Sequence, residues 1–184
     1  MRPLRVAAVA VVLALLGLLV WDFAHQSGSG VAKKVDDGKT VAAPKLDLPR
    51  LGSAQRLALA SYRGKVVVVN FWASWCVDCE LEAKTFADAV RRWEPKGVVF
   101  VGVDSQDGSG PAERYAAKYH MTYPLVHDGE GTEGSQHWGV TGYPETFVVD
   151  RQGRILPYAH WATPIVGAQL VGEFRSAIRR ALAS

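Results

Sequence analysis

The stretch Asn70-Phe71-Trp72-Ala73-Ser74-Trp75-Cys76-Val77-Asp78-Cys79 decides how this chain folds. Just before it, Val66-Val67-Val68-Val69 opens a continuous β-branched and aromatic run that ends at Trp72. A run of that kind, without alternation, fits a strand buried on both faces of an α/β sheet. From Cys76 onward the pattern turns helical. Leu81, Phe86, Ala89, Val90 and Trp93 recur at helical spacing until Pro95-Lys96-Gly97 stops the run. Cys76 therefore sits where a buried strand hands over to a helix. Backbone N–H groups point at a sulfur placed there, and the helix dipole favours negative charge. Both effects lower the thiol pKa, and the thiolate is the reactive form. Cys76 is expected to attack, and Cys79, one turn further on and buried, to resolve the mixed disulfide.

The chain has 184 residues and no other cysteine. Two cysteines three positions apart close a very small loop and gain little as a structural crosslink. A zinc site would need about two further ligands, and the histidines at 25, 120, 127, 137 and 160 are scattered. Haem attachment would need His directly after Cys79, where Glu80 stands. No metal and no cofactor beyond the disulfide is expected. The net charge is only +3, with arginines at both ends supplying much of it, and no basic stripe carries interleaved aromatics. That argues against a nucleic-acid partner.

Outward from the cysteines, Leu46 to Leu59 reads as a β-hairpin around Gly52-Ser53, and Leu59 to Tyr62 as one helical turn. Val98 to Asp104 is a second buried strand, and Ala112 to Tyr119 a helix behind Gly108-Ser109-Gly110-Pro111. Tyr123 to Val126 is a short extended piece and Glu133 to Trp138 a short helix. Thr146 to Asp150 and Arg154 to Tyr158 flank the turn Arg151-Gln152-Gly153, and Ile165 to Ala183 is an amphipathic helix. The succession describes one α/β domain, residues 45–184, with a parallel core and an antiparallel edge.

The N-terminus gives the address. Arg2 and Arg5 precede sixteen uncharged residues, Val6 to Trp21. At 1.5 Å per residue these cover roughly 24 Å, near the ~30 Å of a bilayer core. Positive charge before the run orients the rest of the chain outward. Residues 1–24 thus read as a single-pass membrane anchor, with a cleaved signal peptide as the alternative, though Trp21-Asp22-Phe23-Ala24 offers no good small-x-small site. Residues 25–44, polar and rich in Gly, Ser, Lys and Asp, read as a flexible linker. Either reading places the domain outside the cytoplasm, where disulfide exchange matters.

A second element, Gly139-Val140-Thr141-Gly142-Tyr143-Pro144-Glu145-Thr146-Phe147, puts a proline directly before an apolar strand, a position outside the ladder. With Gly64-Lys65-Val66, the Trp-Cys-x-x-Cys segment, Glu82 and Asp150-x-x-Gly153-x-Ile155, the chain resembles the thioredoxin superfamily, within its membrane-anchored TlpA/ResA/DsbE (CcmG) branch. The resemblance spans about residues 45–183. It implies a thioredoxin-like fold, a central mixed sheet flanked by helices, with an N-terminal hairpin and a helical insert before Pro144. It further implies a cis bond at Pro144, opposite the disulfide, where the neighbouring backbone pairs with a bound peptide. Trp75, Tyr143, Pro144 and Glu145 are the substrate-binding residues it points to, and Trp72 joins Trp75 beside the disulfide. Glu82 stands three residues after Cys79 on the same helical face, where a buried carboxyl of raised pKa can exchange a proton with the resolving thiol.

Two departures stand out. Val77-Asp78 replaces the Pro-containing dipeptide common between the cysteines, and Asp78 opposes thiolate formation and favours a more reducing pair. His160-Trp161-Ala162 replaces the Gly-containing turn of the cytochrome c maturation members. The expected activity is an extracytoplasmic protein-disulfide reductase drawing on a membrane thiol donor, with apocytochrome c as the substrate implied by resemblance. The alternatives are a disulfide-forming oxidase and, with only Met1 and Met121 as added soft ligands, a Cu(I)-binding module.

Overall fold

The computed structural model describes residues 12–18 and 30–184. Residues 12–18 are helical and exposed; the rest of the expected anchor and the linker up to residue 29 lie outside the described residues. Among the described residues no helix is long and apolar enough to cross a membrane.

The central strand β4 (Val66–Trp72) is buried at every position, as its unbroken apolar run requires. It pairs in parallel with β5 (Val98–Ser105) and antiparallel with β7 (Glu145–Val149). β6 (Leu125–Asp128) extends the parallel side, and β8 (Arg154–Trp161) then β1 (Val41–Ala42) extend the other, in the order β1-β8-β7-β4-β5-β6. A separate hairpin, β2 (Asp47–Pro49) and β3 (Arg56–Ala58), matches the turn expected around Gly52-Ser53. β8 carries Pro157 in the irregular stretch between its two pairing regions with β7, the place where a missing N–H costs no ladder bond.

Alternation along β4 sends its side chains to two different layers. On one face, α2 (Val77–Trp93) and α4 (Gly167–Ala183) meet through Phe86, which stacks on Phe174 and packs edge-on to Phe100 of β5. On the other, Phe71 packs against Phe147 and Trp138. Trp138 closes a π-helical turn, Glu133–Trp138. α3 (Ser109–Lys118) starts three residues earlier than the apolar pattern suggests, because Pro111 is tolerated in a first turn whose N–H groups lack helical partners. β6 likewise begins two residues later than the expected extended piece.

The largest correction concerns residues 25–44, expected to be a flexible linker. Among them α1 (Val31–Asp36) is a helix whose Val35 is fully buried, and β1 adds an edge strand to β8 through Val41 and Ala42. The folded domain thus reaches back at least to Gly30. Six residues are too few to show helical periodicity, and a two-residue strand shows none.

Candidate active site

Cys76 and Cys79 are joined in a disulfide at the N-terminus of α2. Cys76 is the N-cap, and its sulfur accepts the Cys79 backbone N–H at 3.0 Å. This is the polarised placement that the strand-to-helix junction foretold. Both cysteines are buried, in a small cluster with Trp72, Ala73, Ala112 and Tyr115. Trp72 stacks on Tyr115 at 4.9 Å beneath the pair. Trp75 is 59% exposed, and its ring meets Tyr143 edge-on at 5.7 Å. Val77 and Leu81 of α2 are also exposed.

The Tyr143–Pro144 peptide bond is cis. Tyr143 is half-buried and packs against the cysteine cluster, and Pro144 behind it is buried. Trp75, Tyr143 and the disulfide therefore share one surface. Glu145 does not join them. Its carboxylate is buried and turned inward: Oε1 accepts the backbone N–H groups of Thr141 (2.7 Å) and Gly142 (3.3 Å) and the Thr141 hydroxyl, while Oε2 meets His160 Nε2 at 2.9 Å. The expectation that Glu145 binds substrate is corrected accordingly. A polar residue inside a strand buried on both faces faces the interior, and its four partners hold the loop instead of leaving it free.

Glu82 lies one turn beyond Cys79, buried, and both border a cavity of about 310 Å³ together with Asn70, Trp72, Tyr115 and Tyr119. Burial pushes its carboxyl up to about 7, although the Ile165 backbone N–H at 3.0 Å and the Asn70 amide at 2.8 Å favour the charged form. Asn70 also donates to Thr146 on β7, so the acid is fixed to the strand that follows Pro144. Glu80, by contrast, is exposed and paired with Lys118.

Sequence reasoning missed a second acidic group. Asp107 Oδ2 accepts the Ser74 N–H at 2.6 Å, and Trp75 donates its indole N–H to the Gln106 carbonyl at 3.0 Å. The loop after β5 thereby grips the residues before Cys76. Burial alone would raise the Asp107 carboxyl, but the Ser74 and Gly108 N–H groups hold it below the usual range. Beside it Asp104, near the end of β5, is fully buried against His127, and that burial raises its carboxyl above the usual range. The one sequence signal was a carboxylate at the C-terminal end of a buried parallel strand, where α/β sheets place their ligand sites.

A sequence profile of the AhpC/TSA family matches residues 40–157, more than half of the chain. The chain belongs to the AhpC/TSA family. Its fold is thioredoxin-like: a solved structure assigned as thiol:disulfide interchange protein DsbE from Chlorobium tepidum aligns with a TM-score of 0.69 and 25% identity, over 78% of this chain and 96% of that one. The thiol:disulfide interchange protein DsbE of Pseudomonas fluorescens biotype C is 35% identical over 113 residues, 61% of each chain. The thiol-disulfide oxidoreductase ResA of Bacillus cereus is 25% identical over 156 residues, 85% of this chain and 88% of that one. The match to the Pseudomonas relative spans about three-fifths of that protein's length. These names agree with the resemblance read from the sequence. Within this AhpC/TSA domain, no group of three or more His, Cys, Asp or Glu among the described residues is placed to hold a metal ion.

Proposed function

We propose that this protein is an extracytoplasmic thiol–disulfide oxidoreductase that reduces protein disulfides. The observation that carries the proposal is the Cys76–Cys79 pair at the N-cap of α2, with Cys76 receiving a helix N–H and with Trp75 and Tyr143 beside it. In the reduced enzyme the Cys76 thiolate attacks one sulfur of a substrate disulfide, forming a mixed disulfide and expelling the other sulfur as a thiolate. Cys79 then loses its proton and attacks the Cys76 sulfur. That step releases the second substrate thiol and leaves the Cys76–Cys79 disulfide, with two electrons passed to the substrate. Glu82 borders the same cavity as Cys79, and a carboxyl titrating near 7 both takes and returns a proton at neutral pH.

Residues 1–24 hold the domain to the membrane with its face outside the cytoplasm, and a membrane thiol donor re-reduces the pair. Apocytochrome c is the substrate suggested by the resemblance to the DsbE and ResA proteins. The direction of electron flow is tested by redox titration. A midpoint near or below about −200 mV supports the reductase, whereas one near about −120 mV, the oxidising end of the range, overturns it. Cys79→Ser expressed in cells traps the substrate as a mixed disulfide on Cys76 and identifies it; the absence of any adduct counts against the chemistry altogether.

A further inference from the structure

His160 of β8 is a titratable side chain that the catalytic cycle leaves unused. Its ring is almost wholly buried, stacked on Phe147 at 4.5 Å, and both of its nitrogens face carboxylates. Nδ1 lies 2.9 Å from Asp36 Oδ1 and Nε2 lies 2.9 Å from Glu145 Oε2. A neutral imidazole has one N–H and can donate to only one of them; the imidazolium donates to both. Asp36 is the last residue of α1, and Glu145 holds the N–H groups of Thr141 and Gly142, the residues leading into the cis Tyr143–Pro144 bond.

A second contact joins the same two regions. A Cβ placed on Gly30 would stand 3.0 Å from the Gly139 Cα, and one placed on Gly139 would stand 2.9 Å from the Gly30 Cα. The backbone before α1 therefore packs directly against the start of the loop that ends in Pro144. Glycine at both positions is what permits it.

We propose that Asp36 and His160 are positioning residues for the loop 141–144, so that α1 braces the substrate-binding surface through Glu145. This deepens the oxidoreductase reading and rests on it for the identity of the surface. Asp36 from α1 and Glu145 from β7 are the charged groups that act on the ring, while β7 also supplies the Phe147 face. Burial alone would lower the imidazole pKa, but the two carboxylates outweigh it and raise it. The bridge is accordingly complete below that pKa and loses one of its two bonds as pH rises through it. Asp36, half-exposed, is the partner that water can replace, so the α1 side opens first.

The test uses the full chain, insulin as the disulfide probe and Asp36→Asn, a substitution at an exposed side chain. In acid-to-neutral solution Asp36→Asn is expected to raise the KM for insulin about 2- to 5-fold, the range of a partly exposed ion pair, with kcat unchanged. The ratio of variant to wild-type KM should fall to one above the wild-type titration of His160, since the neutral ring no longer serves both acids. Cysteine ionisation is common to both proteins and cancels in that ratio. His160→Gln should remove the pH dependence of the ratio. By NMR the Thr141 and Gly142 amides should titrate together with the His160 ring, at a lower pH in Asp36→Asn. A KM ratio of one at every pH, or amides that ignore the His160 titration, overturns the proposal. If wild-type protein reduces no insulin, the oxidoreductase reading fails, and the amide titration still decides whether α1 positions the loop.

Discussion

Two buried glutamates lie on opposite sides of the sheet, and the protein treats them in opposite ways. Glu82 comes from α2 on the face occupied by Asn70, and Glu145 from β7 on the face occupied by Phe71, its register partner. Each is at most 3% exposed. Glu145 meets four hydrogen-bond donors, one of them the ring of His160, whose other nitrogen faces Asp36. Glu82 meets two donors, both neutral, and a cavity. Burial therefore wins at Glu82 and its carboxyl rises to about 7. The difference teaches that desolvation alone does not define a functional acid. The acid that meets only neutral donors and a cavity is the one whose carboxyl rises, and it is the proposed proton carrier; the one that meets four donors holds a loop.

The comparison breaks most sharply at Glu145. At a pH where the His160 ring is charged, Glu145→Ala leaves it with one partner and removes the acceptor of the Thr141 and Gly142 N–H groups, so it should cost about 3–5 kcal/mol in urea unfolding, the range for half of a buried ion pair. A loss under about 1 kcal/mol would show that the loop is held by something else. Glu82 behaves differently because its folded pKa is raised. Its contribution to stability is fully present below the ordinary 4.5 and is lost as pH rises through about 7. Between those limits the wild type should lose up to about 3 kcal/mol relative to Glu82→Gln, in paired unfolding curves at pH 4.5 and 8. Parallel curves for the two proteins would mean that Glu82 does not titrate between those limits in the folded protein. In turnover, Glu82→Gln should flatten the pH profile of kcat near 7, with a fall on the order of 10²-fold expected of a lost general acid–base group.

How much of this was readable beforehand depends on whether the deciding contact is local. The β4–loop–α2 unit was legible residue by residue, from Val66 to Trp93, because a buried strand and an amphipathic helix each write their own period. The burial of Glu82 near Cys79 was legible through the family resemblance together with its spacing from Cys79 along one helix. Glu145 was assigned to substrate on its place in a motif; the direction it faces depends on the pleat and on His160, fifteen residues away. Residues 31–42 read as linker in the sequence because α1 and β1 are too short to carry a pattern and depend on β8 more than a hundred residues later. Asp107 carries only the weak signal of a carboxylate just past a buried parallel strand, because its partner Ser74 belongs to another loop.

Asp107 also supplies the mildest and most discriminating prediction, because it is a third carboxylate between the two extremes. It is only partly buried, and its two oxygens accept the Ser74 and Gly108 N–H groups at 2.6 and 2.7 Å. With a depressed pKa, its contribution is present above the ordinary 3.8 and is lost as pH falls through the folded value, the opposite sense to Glu82. Asp107→Asn keeps one acceptor oxygen and loses the charge, so it should cost about 1 kcal/mol at neutral pH and nothing further in acid. Because Ser74 and Trp75 precede Cys76, the proposed attacking cysteine, the same variant should loosen Trp75, read as a change in its fluorescence on reduction of the disulfide. If Asp107→Asn instead shifts stability between pH 4.5 and 8 as Glu82 does, the division between satisfied and unsatisfied acids does not hold on the β5 side of the site.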